Sequence, residues 1–395
     1  MRTLLRNIGQ VATGDIARPL ADADEIVVED GRIVAVGRDL SSGPGANADQ
    51  VIDANGSTAI PGLIDSHAHP VFGDFSPRQR TIDFIESGLH GGVTTVISAG
   101  EVHLPGRPKD IVGLKALAIV AVKSYMNFRP AGVKVHAGAP ILEVGLQEHD
   151  FAEMADAGVR LVGEIGLGSV RTGAQAAPMV EWAKRHGMTV TFHTGGPSIA
   201  GSSAIGADVV LEAHPHIVGH INGGTTALPD GDIERLVASD MAIEIVQCGN
   251  GRAALLAVRL AAEIGALERV ILGNDAPSGT GVLPLGILRT LAHLASLGGI
   301  APEVAVAMAT GNTARIHGLD VGRIEVGRAA DICLMDAPIG STATSALGAL
   351  ALGDLPGISM VLIDGIVKVG RSRNTAPASR AAEVVGGSGP AEAGH

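Results

Sequence analysis

His67-Ala68-His69 closes the apolar run Ala59-Ile60-Pro61-Gly62-Leu63-Ile64-Asp65. In a β-strand alternate side chains share a face, so the two imidazoles project together from a strand terminus with Ala68 turned away. A divalent cation repays desolvating both rings; the alternative is a hydrogen-bonded surface pair. Ligand-type side chains recur downstream at the ends of other apolar runs: Glu164 after residues 159–163, His193 after 188–192, His220 after 217–219 and Asp275 after 270–274. Four imidazoles and two carboxylates brought to one cavity supply enough donors for two ions with a bridging carboxylate. That centre would activate water against a carbonyl.

Such residues must be positioned by a scaffold, and the sequence predicts one. Short apolar runs at 59–66, 93–99, 132–138, 160–166, 188–193, 217–221, 241–247 and 270–274 alternate with stretches of helical spacing such as Met179–Arg185. Eight strand-then-helix units over about 250 residues match a closed α/β barrel of the (β/α)8 type better than an open sheet. In such barrels chemistry sits where strands end, which is where the six side chains fall. The intervals agree: one unit separates Glu164 from His193, another separates His193 from His220, and about two separate His220 from Asp275.

The two ends of the chain read differently. Residues 25–37 form two β-branched runs joined at Asp30-Gly31, and residues 360–369 repeat the device around Asp364-Gly365. Asp-Gly between such runs is a two-residue hairpin signal. Neither hairpin is large enough to be stable alone, so the two should pair into one small β-sandwich domain built from both termini. The expected organisation is a composite β-domain over 1–58 and 318–374, a catalytic barrel over 59–317, and a disordered tail over 375–395, rich in Ala, Gly, Ser and Pro.

Composition narrows the partners. The chain has 395 residues, 46% of them hydrophobic, with 29 Lys plus Arg against 41 Asp plus Glu for a net charge of −12. No basic run is present to neutralise phosphates, and aromatics at 2% offer no stacking platform, so nucleic acid is an unsuitable partner. No apolar stretch reaches the ~18 residues of a membrane span, and the N-terminus lacks a signal core, so the protein is expected in the cytoplasm. Two cysteines, Cys248 and Cys333, cannot make a disulfide framework and suit a reducing compartment.

Other chemically capable residues have competing duties. His214-Pro215-His216 spells a second HxH but precedes its strand, on the stabilising face of a barrel, and reads as surface histidines. His136 either touches substrate or fills a polar rim. Thr194, Asn222 and Asn274 neighbour proposed ligands and could hydrogen-bond substrate, with helix capping as the alternative. Arg78, Arg107, Lys109 and Arg129 could meet a substrate carboxylate, against the alternative of solvated surface charge. Cys248 has no base beside it in sequence and reads as a small core thiol.

With these residues in view, the chain resembles the amidohydrolase superfamily of metal-dependent hydrolases. The likeness rests on PGLIDSHAHP at 61–70, on His193, His220 and Asp275, and on TGNTARIHGLDVGRIEVGRAADICLMD at 310–336. Within that superfamily it is most similar to the hydrolases of cyclic enamides in nicotinate breakdown, through GDFSPRQRTIDFIESGLHGGVTTVISAG (73–100), HTGGPSIAGSS (193–203), GHINGGTTA (219–227) and GNDAPSGTGVLPLGILR (273–289). Many binuclear members bridge their ions with a carbamylated lysine on the fourth strand; this chain offers Glu164, so metal loading should not depend on bicarbonate.

The resemblance implies two divalent ions, zinc with iron possible at one position. His67, His69 and Asp275 would serve the more buried ion, His193 and His220 the other, and Glu164 both. It implies that Asp275 takes the nucleophile's proton and passes it to the departing nitrogen. It implies a small cyclic amide or enamide as substrate, no membrane partner, and a homotetramer. The rival readings are another cyclic amidase, such as a hydantoinase-like or lactam hydrolase, a mononuclear deaminase, and a non-catalytic scaffold. Metal content and ammonia release separate them.

Overall fold

A computed structural model describes residues 1–70, 84–100, 107–197, 202–224, 226–277 and 281–386. Its centre is a barrel of eight parallel strands: Leu63–Ala68, Val93–Ser98, Lys134–His136, Leu161–Ile165, Thr189–Phe192, Ile217–Val218, Ala242–Val246 and Val270–Gly273. These eight, called first to eighth below, pair in two arcs, first to third and fourth to eighth. The ring closes between the eighth and first strands, where Asp275 N donates to His67 O at 2.8 Å and His69 N donates to Ala276 O at 3.0 Å. The other junction is bridged only in its upper half. There Gly163 N donates to Pro140 O at 3.0 Å, while Glu164 N reaches Ala99 O, just beyond the second strand, at 2.8 Å.

The strands are apolar on both faces because they are covered on both. Their outward residues pack on helices such as Gly173–Arg185 and Gly251–Glu263, which bury Ala176, Val180, Ala183, Ala257 and Val258. The many alanines and glycines allow this close approach of helix to strand. The helix over 173–185 opens with a reciprocal capping box between Thr172 and Gln175, and that over 251–263 with Asn250 accepting from Ala253 N.

The termini build a β-sandwich. One sheet orders its strands as Glu383–Gly386, Gln50–Asp53, Arg2–Arg6, Glu25–Glu29 and Arg32–Gly37. The other runs Ile366–Val369, Gly357–Ile363, Ile332–Asp336, Thr58–Pro61, Gln10–Ala12 and Leu20–Ala21. Leu5, Ile26, Ile33, Ile52, Leu334 and Leu362 fill the space between them. Both Asp-Gly turns are formed: Asp30 and Gly31 take φ of 47° and 81°, and Asp364 and Gly365 take 48° and 72°. Positive φ at both central residues is the mirror-image turn whose twist suits a hairpin.

Two expected boundaries shift. The run 59–66 is two strands rather than one: Thr58–Pro61 pairs antiparallel with Ile332–Asp336 in the sandwich, and only Leu63–Ala68 belongs to the barrel. Gly62 sits between them, and a Cβ there would come 2.2 Å from Thr94 Oγ1. The tail expected from residue 375 is corrected as well. Residues 375–386 are held by Glu383–Gly386 pairing with Gln50–Asp53 and by Arg380, whose Nε and Nη2 donate to Asp336 at 2.7 and 2.8 Å. Low hydrophobicity concealed a segment fixed by backbone pairing and one ion pair. Residues 387–395 lie outside the described residues.

Candidate metal centre

Six side chains, from the ends of five barrel strands or the residues that follow them, meet at the C-terminal mouth. His67 lies within the first strand and His69 just beyond it; Glu164 lies in the fourth; His193 follows the fifth, His220 the sixth and Asp275 the eighth. All six are buried, none more than 6% exposed. His220 and Asp275 have left-handed backbones, with φ of 32° and 57°. That conformation is unfavourable for residues bearing a Cβ and persists where the surroundings impose it, commonly at functional sites.

The donor atoms form three interlocking groups, each within 4.8 Å: His67, His69 and Glu164; His67, His220 and Asp275; Glu164, His193 and His220. Glu164 joins the HxH pair to the later histidines. Its Oε1 lies 2.6 Å from His220 Nε2 and 3.6 Å from His193 Nδ1, while its Oε2 lies 3.7 Å from His69 Nε2. Asp275 Oδ1 is 3.1 Å from His69 Nε2 and 3.8 Å from His67 Nε2.

The electrostatics call for positive charge at the middle of this cluster. Burial lowers the proton affinity of His67, yet Glu244 and Glu164 raise it well above the ordinary imidazole value. His220 is raised too, with Glu164 overcoming its desolvation. Burial pushes Asp275 up, but the His69 hydrogen bond and the charges of His67 and His220 hold it well below the usual carboxylate range. The buried His67 Nε2, His193 Nε2 and His220 Nδ1 have no hydrogen-bond partner among the described residues. Buried carboxylates beside under-satisfied imidazoles fit divalent cations, whose charge and lone-pair demand both match.

A residue the sequence reading missed lies under the cluster. Glu244, fully buried in the seventh strand, places Oε2 2.6 Å from His67 Nδ1, accepts from Ser66 Oγ on Oε1 at 2.6 Å, and accepts from His220 N on Oε2 at 3.3 Å. Asp65 works beside it, accepting from His67 N at 3.1 Å and from Asn274 N and Nδ2 at 2.9 and 2.8 Å. The available signal was a carboxylate enclosed by apolar residues in Ala-Ile-Glu-Ile-Val.

The expected substrate contacts fare less well. Thr194 donates its hydroxyl to Gly219 O and His220 O at 3.2 and 3.1 Å, so it fixes the sixth strand's exit. Asn222 spends both ends of its amide on Val246, donating to the carbonyl at 2.9 Å and accepting from the N–H at 3.0 Å. Arg107 is paired with buried Glu143 at 2.8 Å. Arg129 faces the β-sandwich, 2.9 Å from Asp364. Arg78 lies outside the described residues. His136 joins none of the ligand groups: the third strand's path continues upward to Pro140, which meets Gly163, so His136 sits below the mouth. Of the second HxH, His214 is exposed and pairs with Asp240, while half-buried His216 accepts from Val190 N at 3.1 Å.

Comparison with known proteins agrees with this architecture. A model described as Amidohydrolase family matches residues 58–368. Enamidase of Eubacterium barkeri is 56% identical over 385 residues, spanning 97% of this chain and 100% of that protein. The crystal structure of enamidase superposes with a TM-score of 0.93, covering 98% of this chain and 100% of that one. Imidazolonepropionase of Mycolicibacterium smegmatis is 26% identical over 385 residues, covering 85% of this chain and 91% of that protein.

Proposed function

This chain belongs to the amidohydrolase family, a hydrolase of C–N bonds, and on that premise we propose that it opens a cyclic enamide of the 6-oxo-1,4,5,6-tetrahydronicotinate type. The observation that supports this reading above its rivals is 56% identity with enamidase over nearly the whole chain, on a scaffold whose six buried donors gather at one mouth. One water adds to the lactam carbonyl and the ring C–N bond breaks, giving a carboxylate and an enamine. The enamine becomes an imine by proton shift, and a second water releases ammonia and leaves an aldehyde. With the tetrahydronicotinate ring the product is 2-formylglutarate.

In this reading His67, His69 and Asp275 would hold one divalent ion and His193 and His220 a second, with Glu164 a donor to both, as its place in two of the three donor groups supports. Bound cations of this kind polarise a carbonyl and acidify water. Imidazole and carboxylate donors suit zinc or iron, and we assign zinc with iron possible at one position. Asp275 would accept the proton of the attacking water and return it to the departing ring nitrogen, while His69, whose Nδ1 lies 3.1 Å from Gly100 O, would keep Nε2 free for the ion. A small-molecule substrate, a homotetramer and a cytoplasmic setting complete the proposal; no helix among the described residues is long and apolar enough to cross a membrane.

The test follows ammonia and aldehyde from a panel of cyclic amides and enamides. Equimolar ammonia and aldehyde from the enamide, abolished by chelation and restored by divalent metal, is the expected outcome. Ammonia from an aminopurine without ring opening would instead make the protein a deaminase. Two variants separate the roles: Glu164→Ala should empty at least one metal position, whereas Asp275→Asn should lower turnover by at least about 100-fold while part of the metal stays bound. Full metal and full rate in Glu164→Ala would overturn the bridge.

A further inference from the structure

The barrel's incomplete junction carries a second feature. Below the bridges made by Gly163 and Glu164, the third and fourth strands do not pair, and a cavity of about 640 Å³ opens between them on the side away from the metal centre. Gly158 and Arg160, ahead of the fourth strand, and Gly187, ahead of the fifth, place it toward the N-terminal end of the barrel. One wall is apolar, formed by Ile97, Val122, Leu161 and Leu319. The polar lining consists of Arg129, Lys134, His136, Arg160 and His317, with Tyr125 and Thr189, and contains no carboxylate among the described residues.

The charges along this lining are unequally matched. Lys134 is 2.8 Å from both Asp331 and Asp364, and Arg129 is 2.9 Å from Asp364, so these two cations are balanced from the β-sandwich. Arg160, which is exposed at the edge of the cavity, has only neutral partners among the described residues, with Nη1 donating to the carbonyls of Ala155 and Val159 at 2.6 and 2.9 Å. His317 adds an independent sign. Neither of its ring nitrogens has solvent access or a hydrogen-bond partner among the described residues. A buried imidazole left unmatched at both nitrogens costs free energy that a further polar group would recover.

We propose that this seam is a binding site for a small cyclic carboxylate, its anionic group on Arg160 and on the His317 imidazole, which turns from its sealed position to meet it, and its ring against the apolar side chains. The volume falls in the range of small-molecule sites. An inorganic anion would leave the apolar side chains unused, and a neutral ring would make no use of the Arg160 guanidinium. Leu161 begins the strand that carries Glu164 three residues on, so a ligand seated here ties the third strand to the fourth. It should therefore stabilise the fold in proportion to its occupancy.

Benzoate is the probe, titrated into the metal-loaded protein by calorimetry, with acetate as charge without ring and benzamide as ring without charge. Benzoate should bind at least about tenfold more tightly than either control and raise Tm. Arg160→Met, which keeps the stem and removes the charge, and His317→Phe should each weaken benzoate at least about tenfold. A crystal structure of the complex should place the ring between residues 134–136 and 161. Benzoate affinity unchanged in both variants, equal binding of the controls, or density at the metal centre alone would overturn the proposal.

Discussion

Glu244 decides how much of the candidate centre is pre-formed. A carboxylate 2.6 Å from His67 Nδ1 requires the proton on that nitrogen and turns the Nε2 lone pair toward Glu164 and Asp275. The same carboxylate holds the His220 backbone, so one side chain orients donors assigned to both ions. Partners that fix a ligating histidine typically contribute 10–100-fold in metal affinity. Glu244→Gln should therefore lower metal affinity by about that factor, read by chelator competition, with an unchanged circular dichroism spectrum. Unaltered affinity would mean that the His67 orientation is set elsewhere. The six donors were legible in the sequence because each falls at the end of an apolar run. Glu244 was not, because its position mid-strand is that of a core residue and only the partner across the barrel gives it a task. Thr194 and Asn222 misled for the converse reason: adjacency in sequence to a ligand does not say which way a side chain turns, and both turn into the strand ends.

Elements, more than side chains, set the spacing of the mouth. The eighth strand ends at Gly273, and a Cβ there would come 2.5 Å from His67 Cβ and 2.9 Å from His67 N. The close approach lets Asp275 N reach His67 O and brings the first and last strands together below the donors. Gly273→Ala would drive the two strands apart, since backbone cannot yield as a flexible side chain does. Overpacking of this kind costs about 1–3 kcal/mol. The expected result is a lower Tm together with reduced metal content, and a variant with normal metal content would show that closure tolerates the displacement. The eight strands were readable from β-branched apolar runs, and their number follows from local patterning. What patterning could not show was the assignment of Thr58–Pro61 to the sandwich, because that strand and Leu63–Ala68 are equally apolar and only Gly62 marks the change of sheet. Nor could it show how far the third strand's path climbs past His136, since Ala137–Pro140 carries no strand signal.

At the scale of the whole molecule, ion pairs tie the sandwich together and to the barrel. Lys134 at the start of the third strand reaches Asp331 and Asp364 of the sandwich, and Arg380 closes its C-terminal strand onto buried Asp336. Acid should loosen this assembly from the barrel's N-terminal side, where His136, His216 and His317 lie. Burial is the leading cause that lowers each of them from the ordinary imidazole value of 6.5 to about 4. Between those values the unfolded chain binds protons that the folded chain refuses, so stability is complete above about pH 6.5, falls as pH drops toward 4, and levels off from these groups below that. The window lies above that of ordinary carboxylates, whose loss comes at lower pH. His216 isolates the effect, because its Nδ1 accepts from Val190 N and must lose that bond on protonation. His216→Gln keeps an acceptor for Val190 and removes the titration. Its unfolding free energy should therefore fall less than the wild type's between pH 6.5 and 4.5 in parallel denaturant titrations at fixed metal concentration. Equal falls in the two proteins would show that His216 titrates alike in folded and unfolded chains, and would place the acid sensitivity with the remaining buried groups.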